Sequence, residues 1–261
     1  MNRRKYIGLI VPMILLAVWY FANLLNLVPS YLLPSPFGIL KIGWDFIAGN
    51  MDLTPYSGTF YIHFAASISR VLAGFLIASI LGILHGYASG RSDKFNGLVN
   101  PFINGLKAVP GIGWLPVALV WFGVGQKTAV FLIALAAFFP VYINVCAGAA
   151  KVPEIYIKSA KMMGASKSRI FYTVILPASL DSLITGLRLA LGVSWAYLVL
   201  GEITGVSQGL GAVMMDARML GHIDVVVMSM VIIAILGWIS DYILVGIFKF
   251  LSKLRGRHYG I

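Results

Sequence analysis

KVPEIYIKSAKMMGASKSRIFYTVILPASLD, residues Lys151 to Asp181, is a polar island between two apolar stretches, and its reading decides the fold. Five basic residues sit in it (Lys151, Lys158, Lys161, Lys167 and Arg169), against the acids Glu154 and Asp181. Helix formers run from Glu154 to Met163, Gly164 interrupts them, and a second short amphipathic run reaches Pro177. A helix–glycine–helix with this charge, held between hydrophobic stretches, is expected to be a docking surface on the cytoplasmic face of a membrane.

Composition agrees. The 261 residues have a mean hydropathy of +0.90, with 59% hydrophobic and 11% charged residues. A soluble domain carries about 25% charged residues. Several runs approach or exceed the roughly 20 residues needed to cross a bilayer. A net charge of +11 would suggest nucleic acid in a soluble protein; here its distribution points to topology. The single Cys146 excludes an internal disulfide and a thiolate metal cluster.

Outward from the island, six spans are expected, at about residues 7–27, 64–88, 101–122, 128–149, 183–203 and 223–247, forming one integral membrane domain over residues 1–261. The first follows Arg3, Arg4 and Lys5; it is too long for a signal-peptide core, and no small-residue cleavage pattern follows it. Residues 37–47 read as a short interfacial helix. In the second span Gly74, Ala78, Gly82 and Gly86 form a small-residue stripe for close helix packing or sliding. The third hydrophobic segment, residues 100–125, holds Pro101, Pro110 and Pro116 among five glycines. It is either a broken helix near a pathway or a helix starting late, near Ile112, after an interfacial turn.

With the N-terminus inside, fifteen basic residues fall on cytoplasmic segments and helix ends: Arg3, Arg4, Lys5, Arg91, Lys94, Lys107, the five of the island, Lys249, Lys253, Arg255 and Arg257. Three fall outside: Lys41, Lys127 and Arg218. This bias places both termini in the cytoplasm.

The island resembles the conserved cytoplasmic loop of permease subunits of bacterial ATP-binding cassette importers. The family pattern of Glu-Ala-Ala, Gly, Ile and Leu-Pro stands here as Lys158-Ser159-Ala160, Gly164, Val174 and Leu176-Pro177. GAS at 164–166, ILPASL at 175–180, WFGVGQK at 121–127, FFPVYIN at 138–144 and GLRLALGVSWAYLVLGE at 186–202 resemble the nitrate, sulfonate and taurine branch. Lys158 and Ser159 depart from the first two family residues, and Asp181 stands where proline is common.

The resemblance implies an all-α polytopic membrane protein with the six-helix, MetI-like fold of type I importers. It also implies a homodimer of permeases, two copies of a separate ATPase that bind ATP and Mg2+, and an extracytoplasmic solute-binding protein. The chain itself lacks GxxxxGK[ST], so it has no P-loop route to ATP hydrolysis and needs no cofactor of its own. Residues 151–181 become the coupling loop, with Ala160, Met163, Gly164, Ala165 and Ser166 as its ATPase contacts. Met162 and Met163 serve either docking or packing of the loop onto the spans.

Ionisable groups within spans are functional candidates. Arg70 and Arg188 are candidate contacts for an oxyanion such as a sulfonate, and Asn144 and Trp195, with Tyr197, are candidate cavity-lining groups; Arg188 equally suits pairing with an acid. The solute expected from the branch is an aliphatic sulfonate, taurine or a nitrate-like anion, taken up across the bacterial inner membrane. A secondary transporter would need midplane coupling acids and inverted repeats; neither is evident. A non-transporting membrane scaffold is the remaining alternative.

Overall fold

The structure, a computed structural model, describes residues 3–254, with side chains from residue 10 to residue 250. The basic residues Arg3, Arg4, Lys5, Lys253, Arg255 and Arg257 lie outside the described side chains. Helices α1 (Arg3–Leu24), α2 (Pro36–Ala48), α3 (Phe60–Arg91), α4 (Asp93–Ala108), α5 (Leu115–Phe122) and α6 (Gln126–Ala150) make up the first part of the chain. Helices α7 (Glu154–Met162), α8 (Lys167–Ile170), α9 (Leu176–Ala178), α10 (Leu180–Glu202), α11 (Leu210–Met219) and α12 (Ile223–Leu254) follow. Among the described residues there is no strand.

Among the described residues four helices are long and apolar enough to cross a membrane: α3, α6, α10 and, over Ile223–Phe250, α12. A fifth span results if α4 and the segment Gly111–Phe122 count as one, although the chain bends there by 92°. The bend has a local cause. Pro110 cannot donate to the ladder and pushes Val109 into extended backbone, so α4 ends and a 3-10 turn, Gly111–Trp114, leads into α5. The chain is thus interrupted at Pro110, with a helix on each side of it. The described apolar part of α1, Ile10–Leu24, is shorter than a full span.

The chain divides into two compact units. The first combines residues up to Ala66 with Ser207–Ala234. Its centre is Asp45, fully buried in α2. The Asp45 carboxylate accepts hydrogen bonds from Met51 N (2.7 Å), Leu53 N (3.0 Å) and Ser57 Oγ (3.0 Å), folding the following loop around itself. Burial pushes this carboxyl up, but those donors together outweigh it and hold it below the ordinary aspartate value. Phe46 packs edge-on against Phe60, and His63 Nδ1 accepts from Gly209 N at 3.1 Å.

The second unit, Ser67–Val206 with the chain from Ile235 onward, is built on α3, α6 and α10. The small-residue stripe is a packing surface. A Cβ on Gly82 would meet the Val141 side chain at 2.8 Å, and one on Gly86 would meet Val145 at 2.8 Å. Where α6 packs against α10, a Cβ on Gly201 would meet Ala129 at 2.7 Å, and one on Gly186 would meet Asn144 at 2.9 Å. Bulk is absent where backbones must come close, which is how apolar helices associate in lipid, where burial supplies no drive.

Candidate functional site

The polar island folds into a surface helix with a defined end. On α7, Ile157 and Ala160 are buried, three residues apart on one face. At about 100° per residue, Ile155 and Met162 lie opposite that face, and both are exposed (Met162 by 89%). Lys158 and Lys161 follow Glu154 at i+4 and i+7 on one flank, and Tyr156 and Met163 (81% exposed) lie on the other. The two methionines therefore do not pack the loop onto the spans; they stand out from it. Ala160 is corrected in turn: at 5% exposure it faces its own chain and is no surface contact.

Gly164 ends α7 with φ +78°, in the left-handed region. This lets Gly164 N donate to Lys161 O (2.9 Å) and Ala165 N donate to Ala160 O (3.0 Å), satisfying carbonyls that a helix end leaves open. Ser166, exposed, then caps α8 by accepting from Arg169 N at 3.3 Å. Beyond α8 the backbone widens into a π turn, Phe171–Ile175, where Leu176 N reaches Phe171 O. Pro177 lies just past it and offers no N–H to the preceding turn. The loop is anchored at both ends. Arg91, the last residue of α3, donates to Glu154 Oε1 at 2.6 Å, and Ser179 Oγ shares a 2.9 Å hydrogen bond with Tyr87. Asp181 falls in the first turn of α10, where an acid suits the helix dipole.

The candidate pathway residues scatter. Arg70 is buried, and its Nη1 lies 2.6 Å from Glu202 Oε1. Ser67 Oγ also donates to the Glu202 carboxylate, at 2.8 and 3.0 Å. Arg188 holds Asp241 bidentately, with Nε and Nη2 both at 2.8 Å, beside a cavity of about 230 Å³. Asn144 spends its amide on Pro140 O of its own helix, and the Trp195 indole donates to Ser240 Oγ at 2.9 Å. Each of these side chains has a structural task within the chain, and they do not form one site.

A different cavity, about 280 Å³, opens at the α4–α5 break. Lys107, Gly111 and Trp114 line it from the broken segment, Leu132 and Phe139 from α6, and Tyr197 from α10. The Tyr197 hydroxyl occupies the space where a side chain on Gly111 would go. Reading the sequence found Tyr197 here but not Lys107 or Trp114. The proline–glycine irregularity was the signal for them.

Comparison with known proteins gives this arrangement a context. The family described as binding-protein-dependent transport system inner membrane component matches residues 74–255. The taurine transport system permease protein TauC of Escherichia coli (strain K12) is 34% identical over 228 residues, covering 87% of this chain and 82% of TauC. SsuC of Bacillus subtilis (strain 168), a permease protein named for aliphatic sulfonates transport, is 32% identical over 253 residues, covering 97% of this chain and 89% of SsuC. Among solved structures, the inward-facing MetNI methionine ABC transporter matches with a TM-score of 0.58 at 22% identity, over 72% of this chain and 91% of that one, which shows a shared fold. With a family match over most of its length and relatives at this identity, the chain belongs to the inner-membrane components of binding-protein-dependent transport systems.

Proposed function

We propose that this chain is the permease of an ATP-driven importer for a small anionic solute, an aliphatic sulfonate, taurine or a nitrate-like anion. An extracytoplasmic binding protein delivers the solute, two permease copies form the pathway, and two ATPase subunits, which bind ATP and Mg2+, drive it. Membership in the family makes the chain a non-catalytic membrane component of a transport complex, in the manner of its permease relatives. In this reading six spans cross the bacterial inner membrane with both termini in the cytoplasm, consistent with the bias of basic residues.

The observation that carries the reading is the geometry of residues 151–181. An exposed apolar ridge, Ile155 and Met162 with Met163 beside it, stands on a helix whose opposite face is buried and whose ends are tied to the spans. A surface helix open to water gains nothing from such a ridge unless a partner covers it. Methionines suit a surface that must stay in contact while its partner moves. Met163, Gly164, Ala165 and Ser166 form the end of this helix that meets the ATPase, and Ala160 seats the helix from below.

Reconstitution with the ATPase encoded beside this chain tests the reading. A loaded binding protein is expected to stimulate ATP turnover in the complex. Gly164→Val is expected to reduce that stimulation by about tenfold or more, because a β-branched residue is strained at positive φ by about 1–2 kcal/mol. Among the described residues, chain neighbours aside, no atom lies within 4 Å of a Cβ added at Gly164, so the loss reports on the turn and on the ATPase contact it makes. An ATPase that never associates, or turnover that never responds, overturns the importer reading.

A further inference from the structure

The cavity at the α4–α5 break holds a cation that no carboxylate among the described residues pairs with, unlike the arginines Arg70 and Arg188 within the spans. Arg70 and Arg188 each hold a carboxylate of this chain, and Arg91 holds Glu154 at the end of α3. Lys107 has no such acid among the described residues, and it is the one charged side chain lining the cavity. Val193 and Tyr197 lie past the middle of α10, and Leu132 and Phe139 lie in the first and middle parts of α6. These helices are about 34 and 37 Å long at about 1.5 Å per residue, so this wall is well inside the span, and Lys107, counted with the cytoplasmic helix ends from the sequence, sits beside it instead. Lys107 is exposed, so its ammonium can meet water or an anion in the cavity.

The remaining lining divides by chemistry. The Tyr197 hydroxyl and the Trp114 indole offer donors near the break, while Leu132, Leu135 and Phe139 present an apolar wall. At about 280 Å³, the volume is at the lower edge of the roughly 300–1,000 Å³ that drug-sized ligands need, and it suits a smaller molecule. A larger cavity of about 340 Å³, in the first unit, has Asp224 in its lining, a poor setting for an anion.

We propose that the α4–α5 cavity is a transit site for an alkylsulfonate. Lys107 pairs with the sulfonate, Tyr197 and Trp114 donate hydrogen bonds to it, and the α6 wall takes the methylene chain. The assignment rests on the importer reading for its physiological meaning, but the site itself can be probed without an ATPase. Gly111 keeps the cavity in shape, because any side chain there displaces Tyr197.

The test uses the full chain with Cys146→Ala, which removes the native thiol, and Ala136→Cys, which places one in the lining. Two thiol reagents of similar size are compared in nanodiscs: 2-sulfonatoethyl methanethiosulfonate, itself an alkylsulfonate, and its cationic trimethylammonium analogue. With each rate divided by that of the same reagent with a free thiol in solution, the anionic reagent is expected to react at least tenfold faster. Lys107→Met should remove the preference and Lys107→Arg should keep it. A hundredfold excess of ethanesulfonate should slow labelling, whereas dodecyl phosphate, standing for a lipid headgroup and tail, should not. Equal rates for the two reagents, a preference that survives Lys107→Met, or protection by the lipid analogue alone would each overturn the assignment. Anion preference in a protein that recruits no ATPase would leave the site standing and remove only the importer reading.

Discussion

Two ion pairs in this molecule have the same nitrogen–oxygen distance and opposite surroundings. Arg70 and Glu202 meet at 2.6 Å with side chains 8% and 0% exposed; Arg91 and Glu154 meet at 2.6 Å with side chains 24% and 62% exposed. Distance alone would rank them equal. The first pair joins α3 to α10 where neither charge has water to fall back on, so each partner makes the other tolerable. The second joins the end of α3 to the start of α7 at a surface where water competes for both groups. The buried pair holds two spans in register. The surface pair positions an exposed helix and can be broken at little cost.

The largest expected effect comes from breaking the buried pair on one side only. Arg70→Met leaves Glu202 charged and buried, with Ser67 still donating to it, and is expected to destabilise the protein by about 3–5 kcal/mol. Glu202→Leu should do the same by stranding the guanidinium. The double variant should recover a large part of the loss, since removing both charges also removes the desolvation penalty. Thermal unfolding of the purified permease in one detergent measures all three. A double variant as unstable as the sum of the singles would mean that the pair does not act as a unit.

Arg188–Asp241 lies between the extremes, with side chains 44% and 33% exposed and a bidentate geometry. Asp241→Asn is expected to cost about 1 kcal/mol or less, because partial exposure screens the pair. The more useful readout is uptake. If Arg188 serves only to tie α10 to α12, Asp241→Asn should change stability slightly and leave the KM for solute unchanged. A KM that falls when Asp241 is neutralised would show that freeing Arg188 creates an anion contact, and would return this arginine to the pathway.

These comparisons also show where sequence reading stops. Local, periodic signals were legible. The stripe of Gly74, Gly82 and Gly86 pointed to close helix packing, Gly164 to a helix end, and the prolines around Pro110 to a break. Pairings between distant residues were not. Arg70 and Glu202 are separated by 132 positions, and nothing local to either reveals the other. Asp241 likewise finds its arginine, Arg188, 53 positions away. Asp45 escaped notice for a related reason. One acid on an amphipathic helix reads as its solvated face, and only the return of the loop at Met51, Leu53 and Ser57 turns it into a buried hub. Asn144 and Trp195 were chosen as polar and aromatic groups in spans, and both are occupied by neighbours within the chain.

The smallest expected effect, on stability, is at the surface pair, and it is the one pH can sharpen. The hydrogen bond from the Arg91 guanidinium, and then its charge, hold the Glu154 carboxyl below its ordinary value of 4.5, with Lys158 and Lys161 adding to the effect. A carboxyl whose folded pKa is depressed contributes its stabilisation in full above the unfolded pKa and loses it as pH falls through the folded value. The clamp is therefore complete at neutral pH and released only below about pH 4.5. Glu154→Gln should mimic the acid state at pH 7, with little change in the melting temperature but faster hydrogen exchange in the amides of α7. If α7 amides in Glu154→Gln exchange as slowly as in the parent, the buried Ile157 and Ala160 alone seat the helix, and the surface pair contributes nothing to holding it.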